Sequence, residues 1–248
     1  MNKKKKLICK VLVGLAAVFS LTTQVYSPPA FSAAAPVQLE ADTITYSNKD
    51  GLVEATGNVK ITQNDSVITA GWVEYNTNTS EGRMRGGVRA VMADASLTAD
   101  EVRSVGGNEQ IFAVGNVVLI KGENTLTGDE IEYHPAAEYV LVPAPARIET
   151  KDAVMTANRL EAFLREERAV GTGNVHIVSA ARNLDATANQ ATYYGLPQEA
   201  AKVILTGNVR VVEGVNILTG ENLTVALNEK EIEANGGRPR LVFTPQEQ

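Results

Sequence analysis

The side chains able to do chemistry are few and scattered. The chain holds two histidines, His134 and His176, and a single cysteine, Cys9. His134 precedes Pro135 in a turn, and His176 alternates with Val175 and Ile177, which points it to solvent. No histidine pair stands at ligand spacing, so no metal site is expected. Adjacent carboxylates occur at Asp100-Glu101 and Asp129-Glu130. A glycosidase needs two carboxylates converging on one bond. Neighbours in an extended strand face opposite ways, so these pairs read as solvated bend residues. Gly-Asn dipeptides recur at Gly57-Asn58, Gly115-Asn116, Gly173-Asn174 and Gly207-Asn208. None continues into Gly-Lys-Ser/Thr or opens a helix, so they are turn or bulge residues and not phosphate loops. Arg83, Arg85 and Arg89 form a small basic group that could meet phosphates, although a solvated strand face is the simpler reading. Neither a catalytic constellation nor a cofactor motif emerges.

Those residues belong to a recurring unit, clearest at Gly115–Tyr133, GNVVLIKGENTLTGDEIEY. Its first half is a glycine and an alternating apolar run, repeated at Gly57–Ile61, Gly173–Ile177 and Gly207–Val211 and more weakly at Gly87–Ala90. Its second half is an apolar residue, Thr, then Ala or Gly, as in Leu97-Thr98-Ala99, Leu126-Thr127-Gly128 and Leu218-Thr219-Gly220. The small residue of this half falls at 41, 70, 99, 128, 157, 188 and 220, in steps of 29, 29, 29, 29, 31 and 32. Such a period marks a repeat architecture.

Residues 1–35 are of another kind. Lys3–Lys6 are followed by the apolar run Leu7–Leu21 and then by small residues, Ser32-Ala33-Ala34-Ala35. This is the pattern of a secretory signal peptide cut between 32 and 35. Its apolar run is shorter than the roughly 20 residues a membrane span needs. Residues 36–248 are expected to form one domain. Cys9 leaves with the signal, so no disulfide holds that domain. Five of the 23 basic residues also lie in 1–35; the remainder sets 18 basic against 29 acidic, a net charge of −11. That acidity excludes a nucleic-acid groove, which needs a basic stripe.

Strands of five to ten residues with short Gly/Asn/Asp/Ser turns run to Phe243, beginning with a hairpin turn at Asn48–Gly51. Ala157–Arg168 has some helical spacing but is read as strand and turn, since it falls where the other units have them. Pro143 and Pro145 shorten the strand of the fourth unit. Leu97 and Val102 are five apart, as are Leu126 and Ile131, and Leu218 and Leu223. That odd offset would put the members on opposite faces of a straight strand. A bend or bulge at the intervening Ala or Gly would turn both inward. A corner at the same place in every unit implies an elongated, antiparallel, two-sheeted stack with open ends. Its interior would be aliphatic, either a trough suited to acyl chains or a filled sandwich.

The combination of signal peptide, repeated Gly-Asn-Val-x-Ile/Leu/Val and repeated Leu/Met-Thr-Ala/Gly-Asp/Asn/Glu resembles the OstA-like/LptA family of lipopolysaccharide-transport proteins over Val37 to about Phe243. The resemblance implies an all-β, elongated antiparallel β-taco or β-jellyroll of about seven repeats of roughly 29 residues. It implies a non-enzymatic periplasmic carrier, without cofactor, that shelters the acyl chains of lipopolysaccharide (lipid A) in an apolar groove on the way from inner to outer membrane. The implied partners are lipopolysaccharide and other β-jellyroll components docking edge to edge at the terminal strands, further copies of the chain among them. The implied lining is Val59, Ile61, Ile68, Val117, Leu119, Leu126, Ile131, Val175, Ile177, Val209, Val211, Leu218 and Leu223. The chain departs from the pattern in being longer than a single-module carrier and in its degenerate fourth unit, Pro143 to Arg168. The alternative is a parallel β-helix that binds carbohydrate or acts as an adhesin, which strand direction would reveal. An outer-membrane barrel would need aromatic girdles that this chain lacks.

Overall fold

A computed structural model describes residues 37–243 apart from 93–94, 108, 196–200 and 228–230; the expected signal segment 1–35 lies outside the described residues. The strands are β1 Gln38–Glu40, β2 Thr43–Ser47, β3 Leu52–Gln63, β4 Ser66–Asn76, β5 Glu81–Met92 and β6 Ala95–Val105. They continue with β7 Gln110–Lys121, β8 Asn124–His134, β9 Tyr139–Val142, β10 Ala146–Glu149, β11 Val154–Ala157 and β12 Arg159–Phe163. The last are β13 Arg168–Ser179, β14 Leu184–Tyr194, β15 Lys202–Glu213, β16 Asn216–Ala226, β17 Ile232–Asn235 and β18 Arg240–Val242.

Every pairing between these strands is antiparallel. That disposes of the parallel β-helix. Each pass of the chain pairs with the one before and the one after. Four passes are split in two: β1/β2, β9/β10, β11/β12 and β17/β18. The unbroken strands have 11 or 12 residues, longer than the five to ten expected, because the central Gly-Asn bends a strand without ending it.

The bend is a bulge shared by neighbouring strands. Register slips between Thr56 and Val59, Thr98 and Glu101, Val114 and Val117, and Thr206 and Val209. In each Gly-Asn pair both residues have positive φ, +78° and +49° at Gly57-Asn58 and +79° and +49° at Gly115-Asn116. Two consecutive residues in this region turn the chain sharply, and glycine followed by asparagine accepts it at least cost. Asn58 and Asn116 then donate from Nδ2 to the carboxylates of Asp42 and Asp100, at 3.0 and 3.1 Å. Repeated along the stack, the bends fold one sheet into two facing halves. Half-sheet A holds segments such as Val59–Gln63 and Ser66–Ala70; half-sheet B holds Leu52–Thr56 and Trp72–Asn76. The core lies between them.

The segment Ala157–Arg168 runs from the end of β11 through β12 and a turn to the start of β13, as the repeat predicts. No α-helix occurs among the described residues.

Candidate functional site: the apolar interior between the half-sheets

The bulge accounts for the odd offset between apolar residues. Leu97 and Val102 are both fully buried, as are Leu126 and Ile131. Without the slip, one of each pair would face solvent. Between the half-sheets the lining is almost wholly aliphatic. Val59, Ile61, Ile68, Val117, Leu119, Leu126, Val175, Val209 and Val211 are buried on the inner face of half-sheet A, and Ile131 and Leu223 on that of half-sheet B. Ile177 and Leu218 are only half-buried against the same core.

Sequence reasoning named one wall and largely missed the other. Half-sheet B contributes Ala55, Val73, Met84, Val102, Ile111, Ala113, Val140, Leu160, Ala162 and Leu205. The usable signal was the alternation upstream of each glycine, Leu52-Val53-Glu54-Ala55 or Ile111-Phe112-Ala113. Its phase differs from that of the downstream run because the bulge separates them.

The two walls meet closely in the middle of the stack, where Leu97, Leu119 and Leu126 have no exposed surface. At the ends they do not. On the first pass, Ile44 and Tyr46 take inner-face positions opposite Ala55 and Val53, yet they are 47% and 59% exposed. On the last, Leu241 pairs with the inner-face residue Leu218 and is 57% exposed. Each terminal pass has a partner on one side only among the described residues. The interior is therefore an apolar seam, closed in the middle of the stack and open at both ends.

The degenerate fourth unit interrupts that seam. The buried residues form two clusters, one from Ala55 to Ala169 with Tyr193, the other from Ala157 to Val225; Met155 and Val203 touch both.

Polar groups at the interior are few. Lys121, at the turn beside Leu119, continues the inner-face alternation and is half-buried. Across the turn, Asn124 is buried; its Nδ2 reaches the Lys121 carbonyl, and its Oδ1 has no partner. Outside half-sheet B, Arg83 and Arg85 both grip Glu101, at 2.8 and 3.0 Å, and Arg85 stacks 5.4 Å from the Trp72 ring. Burial pushes Glu101 up, but the hydrogen bonds from both guanidinium groups outweigh it and hold the carboxyl below its ordinary range. Arg83 and Arg85 are thus engaged with their own sheet, while Arg89 lies apart on half-sheet A. A second cluster holds Tyr139, whose hydroxyl donates to Glu161 at 2.6 Å. Burial first, then that hydrogen bond, push the phenol up to about 12. His176 is exposed beside Asp185, and His134 contacts Glu132. Among the described residues no three metal-ligating side chains converge.

Against known families, a model described as LptA/(LptD N-terminal domain) LPS transport protein matches residues 38–139 and again 96–231. No curated protein matches. One similar solved structure is LptH from Pseudomonas aeruginosa, the LptA-homologous periplasmic component of its lipopolysaccharide transport device. It is 13% identical, with 85% of this chain and 96% of that one covered and a TM-score of 0.16.

Proposed function

This chain belongs to the LptA/LptD N-terminal-domain family of lipopolysaccharide transport proteins, and we propose that it is the family's kind of periplasmic carrier, holding acyl chains between its two half-sheets. The observation that carries this reading is the apolar seam with open ends. Acyl chains gain roughly 0.8 kcal/mol for each methylene taken from water. Val59, Ile61, Ile68, Val117, Leu119, Leu126, Ile131, Val175, Ile177, Val209, Val211, Leu218 and Leu223 would contact them. Since the walls touch in the middle, the ligand enters at an end and parts them as it advances.

The exposed inner residues of the terminal passes support the partner assignment. An unpaired strand edge beside uncovered apolar side chains is a template for another sheet. A further copy of this chain or a related jellyroll docked there would continue the seam. The catalytic machinery of an enzyme has no place in this account.

Photoreactive residues at Ile61 or Leu119 test the reading by crosslinking to lipopolysaccharide. The control is Arg89, on the outer face of half-sheet A. Stronger labelling at the interior positions is expected, and labelling no stronger than at Arg89 would refute it.

A further inference from the structure

Among the described residues three polar side chains are buried: Ser104, Asn124 and Ser179. The serines are matched. Ser104 Oγ accepts from the Gly82 amide at 2.9 Å, and Ser179 Oγ donates to the Asp152 carbonyl at 2.7 Å. Asn124 stands apart from them. At the turn between β7 and β8 the inner-face row of half-sheet A runs Met92, Ala95, Lys121, Asn124 from strand to strand. Met92 and Ala95 are 8% exposed and Asn124 is 6% exposed. The next inner-face residue of β8 is Leu126, which pairs with Leu119, and both leucines are fully buried. Asn124 therefore lies on the rim of the seam, one step in from the exposed turn residues Gly122 and Glu123.

Its amide is only half used. Nδ2 donates to the Lys121 carbonyl at 3.5 Å, while Oδ1, sealed from solvent, accepts nothing. Turning the amide over gives no relief, because it would set Oδ1 against that carbonyl. Buried acceptors are normally met, and one left unmade costs free energy that an apolar side chain of the same shape would not. The repeat does not demand an amide here. The same place in the unit before, 29 residues earlier, is Ala95, and in a later unit it is Leu184. Both are buried, so the position accepts an apolar residue, and Asn124 departs from that at a cost to the empty protein.

An unmet acceptor in an aliphatic seam calls for a ligand that is itself aliphatic and brings one donor. We propose that Asn124 selects acyl chains carrying a hydroxyl close to their polar end, with the hydroxyl donating to Oδ1. This rests on the reading of the seam as an acyl-chain site. A hydroxyl adds a donor for little volume, which suits walls that touch. Its position on the chain follows from the rim. From Asn124 the methylenes run inward past Leu126 and Leu119, and the polar end leaves toward the exposed turn at Gly122 and Glu123. A plain chain leaves Oδ1 unmet. A chain hydroxylated at its far end buries that hydroxyl among aliphatic side chains with nothing to bond.

The test titrates myristate, β-hydroxymyristate and ω-hydroxymyristate calorimetrically into the mature protein, each below its micelle concentration. Wild type is expected to bind β-hydroxymyristate about fivefold tighter than myristate, and ω-hydroxymyristate no tighter than myristate. In Asn124→Leu the hydroxyl meets no acceptor, so the order should reverse, with myristate about fivefold the tighter. Circular dichroism checks the fold; should the leucine variant not fold, Asn124→Ala, which copies the residue of the preceding unit, decides. The proposal is overturned if wild type binds myristate and β-hydroxymyristate equally, if ω-hydroxymyristate shares the preference, or if the preference survives the substitution. Each of those results has the acids bound, so the seam reading stands without it. Binding of none of the three acids sinks the seam reading and this proposal together.

Discussion

Substituting Gly115 by alanine probes the corner on which the fold turns. Gly115 has φ +79°, and an added Cβ would meet the Asp100 side chain, with Cγ 2.7 Å and Cβ 2.8 Å away. A side chain in that backbone region costs about 1–2 kcal/mol. Displacing Asp100 also breaks its bond from Asn116, worth about 0.5–1.5 kcal/mol. The expected loss is about 2–3 kcal/mol, read from urea unfolding midpoints at constant m-value. Gly122 has φ +58° with nothing within 4 Å of the same atom, so Gly122→Ala should cost only the backbone part, about 1–2 kcal/mol. Asp100→Ala removes the carboxylate, the nearest part of the obstacle, and leaves the Cβ 2.8 Å away. The double variant Asp100→Ala/Gly115→Ala should therefore be more stable than the sum of the singles requires, by about 1 kcal/mol. Equal losses at Gly115 and Gly122, together with strict additivity at the corner, would refute the steric account.

Leu126→Ala empties a fully buried site where the walls touch and should cost about 2–5 kcal/mol in the same assay, with Leu218→Ala costing clearly less because that residue is only half-buried. Glu101 has its carboxyl held below the ordinary 4.5. Its stabilising contribution is thus full above that value and disappears as pH falls through the lowered one, so the gap between wild type and Glu101→Gln should be constant near neutrality and close in acid. Tyr139 behaves in the opposite sense. With its phenol raised from 10.0 to about 12, its contribution is full below 10.0 and is lost as pH rises toward 12, so wild type should lose stability relative to Tyr139→Phe in that window, and ultraviolet titration should show Tyr139 ionising late, alongside Tyr133, whose phenol burial also raises.

Much of this architecture could be read from the chain because each unit repeats its own instructions. The 29-residue step placed the corners, and the Leu126/Ile131 offset required the bulge that the register slip at Val114 and Val117 displays. What escaped was the consequence of the slip for the wall built from Ala55, Met84, Ala113 and Leu205. These precede their glycines, and their alternation carries no distinctive residue. Lys121 escaped for a related reason: a lysine beside a turn reads as surface, although strand phase puts it on the inner side. The closure of the seam was illegible because periodicity fixes which side chains face inward, not how far apart two facing walls settle. The ends were more tractable. A terminal pass has no neighbour to bury Ile44 or Leu241, whatever its sequence.

The bent pass also fixes how such a molecule can change size. One 29-residue unit comprises two passes, and its corner bond links residues 16 apart within neighbouring passes, as Asn116 to Asp100. A duplicated unit would bring its own corner, its own wall and both of its mating edges, and would lengthen the stack by about 10 Å while leaving its cross-section unaltered. The length of the stack is then set by copy number, and gene duplication alone can adjust it.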